Sequence, residues 1–269
     1  MSQTIFITGT SSGIGKATVE YFLDKDWNVI AGMRNVNQSI FANSYRLYLL
    51  PLDVQDINSV KSAVDESIKK FGKIDVIVNN AGYGLLGSFE AATSEELQDQ
   101  FQTNFFGALN VTKAFLPHFR ENRSGMFINT SSMLGQISLP FFSMYSSTKW
   151  ALEGFFESVQ YELEPFNIRC KLVEPGTIKT DFFSRSLKIS KQNNLTAYDE
   201  AFEKVITNIN KRGENGVSPN AVAKVIFKAA TDKSNKFRYP VDSTARLLLT
   251  LKRFMPFNIY KMIIKNTVK

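Results

Sequence analysis

The amino-acid sequence predicts an α/β fold, a single domain with a doubly wound parallel sheet and helices on both faces. Short apolar stretches typical of strands alternate with stretches of helical periodicity from the first residues onward, which is the pattern of a parallel sheet with crossover helices. A glycine-rich turn follows the first strand and opens the first helix, as at the start of a βαβ unit. Since the 269 residues contain no internal repeat, low-complexity tract or interdomain boundary, one domain over residues 1–269 is the simplest account.

Six strands are predicted before residue 175. They cover residues 5–8, 29–33, 47–50, 74–78, 126–129 and 168–173. Each is a short and mostly apolar run, as expected for strands that are buried on both faces of a sheet.

Helices are predicted between and after these strands. They cover residues 14–23, 56–71, 95–119, a segment with Tyr145 near its start that runs to about residue 163, and 219–230. Asp56 is expected to cap the second helix. Thr93 or Ser94 marks the start of the third, because both side chains favour N-terminal caps.

The alternation stops after the sixth strand, at Pro175 and Gly176. Residues 177–218 are mostly polar with one amphipathic piece at 198–209, so they are predicted to pass over the sheet rather than to link two domains. After the last of these helices, a short apolar run follows at 237–240.

The charge balance by itself does not choose a partner. The chain carries 32 Lys and Arg against 25 Asp and Glu, a net charge of +7. This fits nucleic acid, an anionic cofactor, a membrane surface or solubility alone. No basic stripe or nucleic-acid recognition motif accompanies the charge, so a nucleic-acid partner is not expected. With 43% hydrophobic and 13% aromatic residues, the chain has ample material for a folded core.

The rare Cys and His residues exclude two kinds of site. The single cysteine, Cys170, excludes an intrachain disulfide and is expected to be a buried strand thiol. The single histidine, His118, cannot form a zinc site with one distant cysteine, so no metal is expected. The N-terminus lacks the pattern of a signal peptide, and the aliphatic run at 247–251 is too short to span a bilayer. A soluble cytoplasmic protein is therefore expected.

The glycine-rich turn is predicted to bind the pyrophosphate of a dinucleotide. It reads Thr8-Gly9-Thr10-Ser11-Ser12-Gly13-Ile14-Gly15. Glycines let the backbone approach a pyrophosphate closely, while the free N–H groups and the positive end of the helix dipole attract its charge. The spacing G-x-x-x-G-x-G differs from the usual G-x-G-x-x-G fingerprint. The prediction therefore depends on the strand before the turn and the helix after it.

The segment after the second strand favours NADP(H) over NAD(H). An acidic residue at this place would accept the ribose 2′-hydroxyl of NAD, whereas an arginine accommodates the 2′-phosphate of NADP. Residues 28–41 contain no Asp or Glu, and Arg34 follows the strand directly. Its guanidinium can pair with a phosphate. A solvated loop arginine is the alternative, and NAD(H) stays open as the second cofactor.

Ser132, Tyr145 and Lys149 place a hydroxyl, a phenol and an ammonium in one short segment. Residues four apart share one face of a helix, so Lys149 is expected beside Tyr145. A nearby ammonium favours the phenolate and lowers the pKa of a tyrosine from about 10, which suits a general acid or base near neutral pH. The alternative is a surface helix that carries Tyr and Lys by chance.

Taken together, these motifs resemble the classical short-chain dehydrogenase/reductase family and are similar in style to its hydroxysteroid and retinol dehydrogenase-like branch. The likeness covers residues 4 to about 181 and rests on Thr8, Gly9, Gly13, Gly15, Asn79, Asn80, Ala81, Gly82, Ser132, Tyr145, Lys149, Pro175 and Gly176. It implies a Rossmann fold and an NAD(P)-dependent oxidoreductase that acts on CH–OH groups. It also implies a homodimer or homotetramer, with residues 177–218 on the substrate side.

The resemblance implies four catalytic residues. The family tyrosine at Tyr145 exchanges a proton with the substrate oxygen, and the lysine at Lys149 binds the nicotinamide ribose and lowers the pKa of the phenol. The family serine lies 13 residues before the tyrosine, which selects Ser132 over its neighbour Ser131. The family asparagine matches Asn104 and supports a water chain to the lysine.

Further cofactor contacts follow from the same resemblance. Asp53 matches the adenine-binding aspartate, although a turn or helix-cap aspartate is the alternative. The complete set of implied cofactor residues is Gly9, Ser11, Ser12, Gly13, Ile14, Gly15, Arg34, Asp53, Val54, Asn80, Ala81, Gly82, Tyr145, Lys149, Pro175, Gly176, Thr177, Ile178 and Thr180.

The expected substrate is a lipophilic ketone, aldehyde or secondary alcohol, because apolar residues surround the predicted site. They are Tyr83, Leu85, Leu134, Leu139, Phe141, Phe142, Met144, Phe182 and Phe183, of which many serve equally well as core. A non-catalytic protein that binds or senses NADP is the alternative function. It is disfavoured because the four catalytic residues are all present.

The C-terminal tail, residues 243–269, is basic and apolar. It has six basic residues and no acidic ones. Packing over the pocket or against a second subunit is favoured, and contact with a membrane surface is the alternative.

Overall fold

A computed structural model describes residues 2–179, 187–192, 194–214 and 216–265. The strands are β1 Thr4–Thr8, β2 Asn28–Met33, β3 Leu47–Pro51, β4 Val76–Asn79, β5 Gly84–Leu86, β6 Gly125–Thr130, β7 Ile168–Glu174, β8 Leu187–Ile189 and β9 Arg238–Pro240. The helices are α1 Gly13–Leu23, α2 Ile57–Phe71, α3 Ser94–Phe101, α4 Gly107–Asn122, α5 Ser143–Leu163, α6 Asp199–Glu214, α7 Pro219–Thr231, α8 Ser243–Phe254 and α9 Phe257–Lys265.

Seven strands form one parallel sheet in the order β3-β2-β1-β4-β6-β7-β9. The chain leaves β1 for one edge of the sheet and, after β3, crosses back to β4 on the other side of β1. The strand order thus reverses between β1 and β4, and the carboxyl ends of these strands leave a crevice where such sheets bind ligands. The predicted α/β fold with a doubly wound sheet is confirmed.

Helices cover both faces of the sheet because its strands are apolar on both sides. In β1, Ile5 and Ile7 are buried on the face of α1 and α7, whereas Phe6 lies in the core beneath α2, α4 and α5. Alternate residues of a strand point to opposite faces, so a continuous apolar run requires two helical layers. Cys170 is buried in β7, and the predicted core thiol is confirmed.

Six predicted strands and the cap at Asp56 are confirmed, with shifts of one or two residues at the strand ends. The apolar run at 237–240 forms β9, which pairs in parallel with β7. The helix predicted at 95–119 is present, but it is not one uninterrupted α-helix. Two helices, α3 and α4, are joined there by a π-helical turn at Gln102–Phe106. Thr93 forms a capping box with Glu96 at the start of α3.

Part of the segment predicted to pass over the sheet is regular structure. Residues of β8 pair in parallel with β5 in a separate two-stranded sheet, which the sequence analysis missed. The amphipathic piece predicted at 198–209 extends to a 16-residue helix, α6. Among the described residues, no helix has the length and apolar character needed to cross a membrane.

Candidate active site

A cavity of about 480 Å³ runs along the carboxyl edge of the sheet. Every predicted cofactor residue in the described part of the chain lines it, from Gly9 in the glycine turn to Ile178 after β7. Ser132, Tyr145 and Lys149 line it as well. Thr180 lies outside the described residues. Residues that are more than 160 positions apart in the sequence thus face one space.

The glycine turn needs glycine at two positions because the backbone packs against itself there. Gly9 has φ +71°, and a Cβ at this residue would lie 2.8 Å from Ala81 Cα. A Cβ at Gly15 would collide with the carbonyl oxygen of Gly9 and lie 2.7 Å from Asn80 Nδ2. The turn therefore brings bare backbone to the cavity wall. This is the form of site that a pyrophosphate requires.

Hydrogen bonds fix the glycine turn to the segment after β4. Thr8 Oγ1 accepts from the backbone N–H groups of Asn80 and Ala81 at 3.0 and 2.9 Å. Asn80 Nδ2 in turn donates to the carbonyl oxygens of Thr8 and Gly9 at 2.9 and 3.2 Å. The side chain of Ser12, which caps α1, makes no capping hydrogen bond in the described structure. The N–H groups of the first helical turn therefore remain available to a bound anion.

Arg34 and Asp53 lie together at the far end of the cavity. Arg34 is exposed directly after β2, and both residues also line an adjoining open space with Asp56 and Ser59. The Asp53 carboxylate accepts a hydrogen bond from the N–H of Gln55 at 3.0 Å, as in the turn alternative, while it still lines the cavity. No ion pair found within the described chain involves Arg34. Its guanidinium is thus placed to receive a phosphate.

Tyr145 and Lys149 lie one turn apart at the start of α5. Lys149 Nζ is 5.7 Å from the centroid of the Tyr145 ring, and it donates to the carbonyl oxygen of Thr130 at 2.7 Å. The Ser132 and Tyr145 side chains are joined by a hydrogen bond. Ser131 lines the cavity too, but its hydroxyl lies against Glu153 and Gly135, which favours Ser132 as the family serine.

Burial dominates the acid–base properties of this pair. It raises the pKa of Tyr145 to about 12, although the hydrogen bond from Ser132 partly offsets it. Burial also lowers the pKa of Lys149 to about 8, against the opposing charge of Glu153. The pKa of Tyr145 is therefore raised overall, where a lowered value was expected, because burial is the dominant effect. The phenol keeps its proton at neutral pH and is poised as a proton donor.

The sequence profile described as short chain dehydrogenase matches residues 3–190. This chain belongs to the short-chain dehydrogenase family. The 3-ketodihydrosphingosine reductase of Bacteroides thetaiotaomicron is 36% identical over 260 residues, which are 96% of this chain and 94% of that protein.

Two solved structures support the same assignment. A short-chain dehydrogenase from Streptomyces avermitilis is 32% identical with a TM-score of 0.82, covering 93% of this chain and 92% of the other. ElxO with NADP bound is 27% identical with a TM-score of 0.77, covering 92% of this chain and 100% of the other. This short-chain dehydrogenase is accordingly an oxidoreductase.

In this short-chain dehydrogenase, Asn104 lies in the π-helical turn and is buried beside the cavity rather than in its wall. Its Nδ2 donates to the carbonyl oxygen of Tyr83 at 2.8 Å, and its Oδ1 accepts from the N–H of Tyr83 at 2.9 Å. A Cβ at Gly82 would lie 3.0 Å from Asn104 Oδ1. Asn104 therefore fixes the segment at Gly82 and Tyr83. Its predicted water link to Lys149 stays a prediction.

Apolar residues line part of the cavity in this short-chain dehydrogenase, together with two charged residues that the sequence did not predict. Four of the predicted residues line it, namely Tyr83, Leu134, Leu139 and Phe142. Met133, Ile209, Asp99 and Lys188 complete this part of the wall. Leu85 and Met144 are core residues, Phe141 packs against Phe202, and Phe182 and Phe183 lie outside the described residues. Lys188 reaches the site through the pairing of β8 with β5, and Ile209 reaches it on α6. The sequence motifs predict neither element.

A cluster of ionisable side chains lies next to Lys149 and Pro175 in this short-chain dehydrogenase. Glu153, one turn after Lys149, and Glu174, directly before Pro175, are both buried. Arg238 Nε donates to Glu153 Oε2 at 2.9 Å and lies 3.8 Å from Glu174 Oε1. Gln136 Nε2 also donates to Glu174. The three charged residues come from distant segments, so no sequence signal revealed the cluster.

We expect Glu174→Gln to remove a pH dependence of the stability of this short-chain dehydrogenase. Burial and the charge of Glu153 raise the pKa of Glu174 to about 8 in the folded protein. The folded state then keeps a proton that the unfolded chain releases near pH 4.5. Stability should be highest below that pH and fall by about 1.4 kcal/mol per pH unit as the pH rises towards 8.

Urea unfolding between pH 5.5 and 8 measures this slope. The Gln variant should show a flatter profile and higher stability than wild type at pH 8. Glu162→Gln, at an exposed position of α5, is the matched control and should keep the wild-type slope. Equal slopes in wild type and Glu174→Gln would contradict the assignment.

Proposed function

We propose that the protein is an NADP(H)-dependent oxidoreductase that interconverts a carbonyl and an alcohol on a lipophilic substrate. The observation that carries the proposal is the convergence of Ser132, Tyr145 and Lys149 on the cavity that the glycine turn also lines. Hydride transfer creates negative charge on one oxygen, so the site needs a proton donor and a second hydrogen bond at that atom. The two hydroxyls supply both.

Each residue has a distinct part in the proposed reduction. The backbone of the glycine turn holds the pyrophosphate, and Arg34 holds the 2′-phosphate of NADP. Bound NADPH supplies the hydride. Ser132 donates a hydrogen bond to the carbonyl oxygen of the substrate, and Tyr145 gives that oxygen its phenolic proton. The ammonium of Lys149 stabilises the resulting tyrosinate.

The protonated state of Tyr145 matches the proton donation that carbonyl reduction needs. With a pKa of about 12, Tyr145 carries a proton to donate at neutral pH. The relative from Bacteroides thetaiotaomicron is named a reductase, which supports this direction.

The apolar wall of the cavity supports a lipophilic substrate. Leu134, Leu139 and Phe142 offer little hydrogen bonding to a polar ligand and gain free energy when they bury apolar surface. The keto substrate in the relative's name, 3-ketodihydrosphingosine, is consistent with this class. A homodimer or homotetramer remains a prediction from the family resemblance, and a cytoplasmic location remains a prediction from the sequence pattern.

A panel of methyl ketones with chains of two to twelve carbons tests the substrate class with NADPH as reductant. Each added CH₂ that enters the cavity should lower the free energy of binding by about 0.8 kcal/mol, so kcat/KM should rise about threefold to fourfold per carbon until the cavity is full. Activity on small polar sugars alone would overturn the lipophilic class. NADPH binding without turnover on any carbonyl would favour the sensor alternative.

We expect Arg34→Gln to weaken NADPH binding and leave NADH binding unchanged. A hydrogen bond to a charged group contributes about 1.5–3 kcal/mol, so the Kd for NADPH should rise about tenfold to a hundredfold. Isothermal titration with both nucleotides measures this. Arg46→Gln, remote from the cavity, is the control and should bind both nucleotides as wild type does. Equal weakening of NADPH and NADH by Arg34→Gln would remove Arg34 as the 2′-phosphate ligand.

A further inference from the structure

The inner face of the two C-terminal helices packs on the apolar cluster beside the site. Ala245, Leu248 and Leu249 of α8 contact this cluster, which includes Leu134 and Phe142. Tyr260 of α9 accepts a hydrogen bond from the N–H of Ser138 at 3.0 Å and donates to its carbonyl oxygen at 2.8 Å. These residues pack beside the cavity, whereas no described residue of α8 or α9 lines it, so packing of the tail over the pocket stays a prediction. The exposed apolar residues of the tail do not take part in this packing.

The same two helices also carry exposed apolar residues, and we name this group the C-terminal apolar surface. It consists of Leu247, Leu251, Phe254, Phe257, Ile259, Met262 and Ile263. Leu247, Leu251 and Phe254 are spaced by four and three residues and share one side of α8. Leu247 is 59% exposed, Phe254 78% and Met262 61%. Single exposed apolar residues are ordinary in proteins, whereas three on one side of a helix, with four more on the next helix, indicate a surface for binding.

Positive charge surrounds the C-terminal apolar surface. Residues 243–269 contain six Lys or Arg and no Asp or Glu. Arg246, Arg253, Lys261 and Lys265 are exposed on α8 and α9. Lys252 Nζ lies 4.0 Å from the centroid of the Tyr260 ring and joins the two helices. An apolar face bordered by cations is characteristic of helices that lie in the interface of a membrane.

We propose that the C-terminal apolar surface binds one face of an anionic lipid bilayer. Its apolar side chains enter the headgroup boundary, and its cations pair with lipid phosphates and carboxylates. Helices of 12 and 9 residues are about 18 and 14 Å long, so they lie along the bilayer rather than cross it. The proposal does not depend on the proposed reaction, because it concerns residues outside the cavity.

The charge distribution argues against a second copy of the chain as the occupant. In a symmetric dimer the same surface meets itself. Its cations would then face each other, and the tail carries no acidic side chain to pair with them. Like charges that face each other across an interface weaken association. An anionic bilayer complements both the apolar side chains and the charge.

Co-sedimentation of the full chain with vesicles tests the proposal. Binding is expected to vesicles of phosphatidylcholine with 30% phosphatidylserine, and not to phosphatidylcholine alone. Raising NaCl to 0.5 M should release most of the protein, because salt screens exposed charges. The double variant Arg253→Gln, Lys261→Gln should lower the partition coefficient about tenfold or more. Leu251→Gln, Phe254→Gln should lower it by a similar factor, because two apolar side chains no longer enter the bilayer.

Matched control variants distinguish vesicle binding by this surface from nonspecific binding by other exposed residues. Tyr45 is 82% exposed, and Lys61 and Lys69 are exposed on α2, all far from the tail in sequence. Tyr45→Gln and the double variant Lys61→Gln, Lys69→Gln should bind vesicles as wild type does. The proposal fails if wild type does not bind anionic vesicles, or if the tail variants bind as wild type does. Sedimentation velocity adds one further outcome: a dimer that Phe254→Gln dissociates, without vesicle binding, would assign the surface to a second copy.

Discussion

Tyr145→Phe is expected to lower kcat for carbonyl reduction by a factor of about 10² to 10⁴, which is the usual contribution of a general acid. The variant lacks the hydroxyl that would donate a proton to the substrate oxygen, while the ring that packs beside Ser132 and Lys149 remains. NADPH should bind with an unchanged Kd, because the glycine turn and Arg34 are untouched. Steady-state kinetics and fluorescence titration of NADPH measure the two quantities.

Two comparisons make the Tyr145 prediction specific. Phe142→Leu changes an apolar residue of the same cavity and should alter KM more than kcat, since it removes contacts rather than a proton donor. Ser132→Ala should lower kcat about a hundredfold, as expected for the loss of one hydrogen bond to the developing charge. Near-wild-type reduction by Tyr145→Phe would overturn the assignment of the proton donor.

Gly15→Ala is expected to abolish measurable cofactor binding and to lower stability by about 1–3 kcal/mol, the usual cost of forcing an extra methyl into a packed site. The added Cβ would meet the carbonyl oxygen of Gly9 and the side-chain amide of Asn80. Neither group can move away easily, because Asn80 Nδ2 donates hydrogen bonds to the carbonyl oxygens of Thr8 and Gly9. The backbone N–H groups that face the pyrophosphate would then move apart. Calorimetric titration with NADPH and thermal unfolding measure both effects.

Gly154→Ala is the matched control for this change. Gly154 lies in the exposed face of α5, has no neighbour within 4 Å of an added Cβ, and has no positive φ. Alanine there should raise stability by about 0.5–1 kcal/mol through helix propensity and leave NADPH affinity unchanged. If Gly15→Ala bound NADPH as tightly as Gly154→Ala, the turn would not be the pyrophosphate site.

The strands of the sheet could be predicted well because each can be recognised from its own short run of residues. Runs such as residues 5–8 are apolar on both faces, and the glycine turn marks where the first of them ends. The interruption at Gln102–Phe106 was not predictable in the same way, since its residues continue a helical pattern. The β5–β8 pair was missed because three-residue strands carry little pattern and their partners are about 100 residues apart.

In the site too, contacts between residues close in the sequence were predictable, whereas contacts between distant residues were not. Tyr145 and Lys149 lie within one helical turn, so their spacing alone placed them together. Their acid–base state depends on the packing around them, and the predicted pKa of Tyr145 was accordingly wrong. Glu174 and Arg238 pair across 64 positions, and only the finished sheet brings them to Glu153. The residues implied by the family motifs remain proposals until kinetics test them.

The π-helical turn between α3 and α4 has a geometric consequence. Each residue of an α-helix advances the direction of its side chain by about 100°, so one extra residue in a turn rotates everything before it relative to everything after it. Gln100, before the turn, and Asn104, within it, both donate to the carbonyl oxygen of Tyr83. Residues four apart lie on one side of a helix, so both amides reach the same oxygen. The inserted residue acts on α4, because it turns the side chains of α4 relative to those of α3 from the directions that an uninterrupted helix would give them.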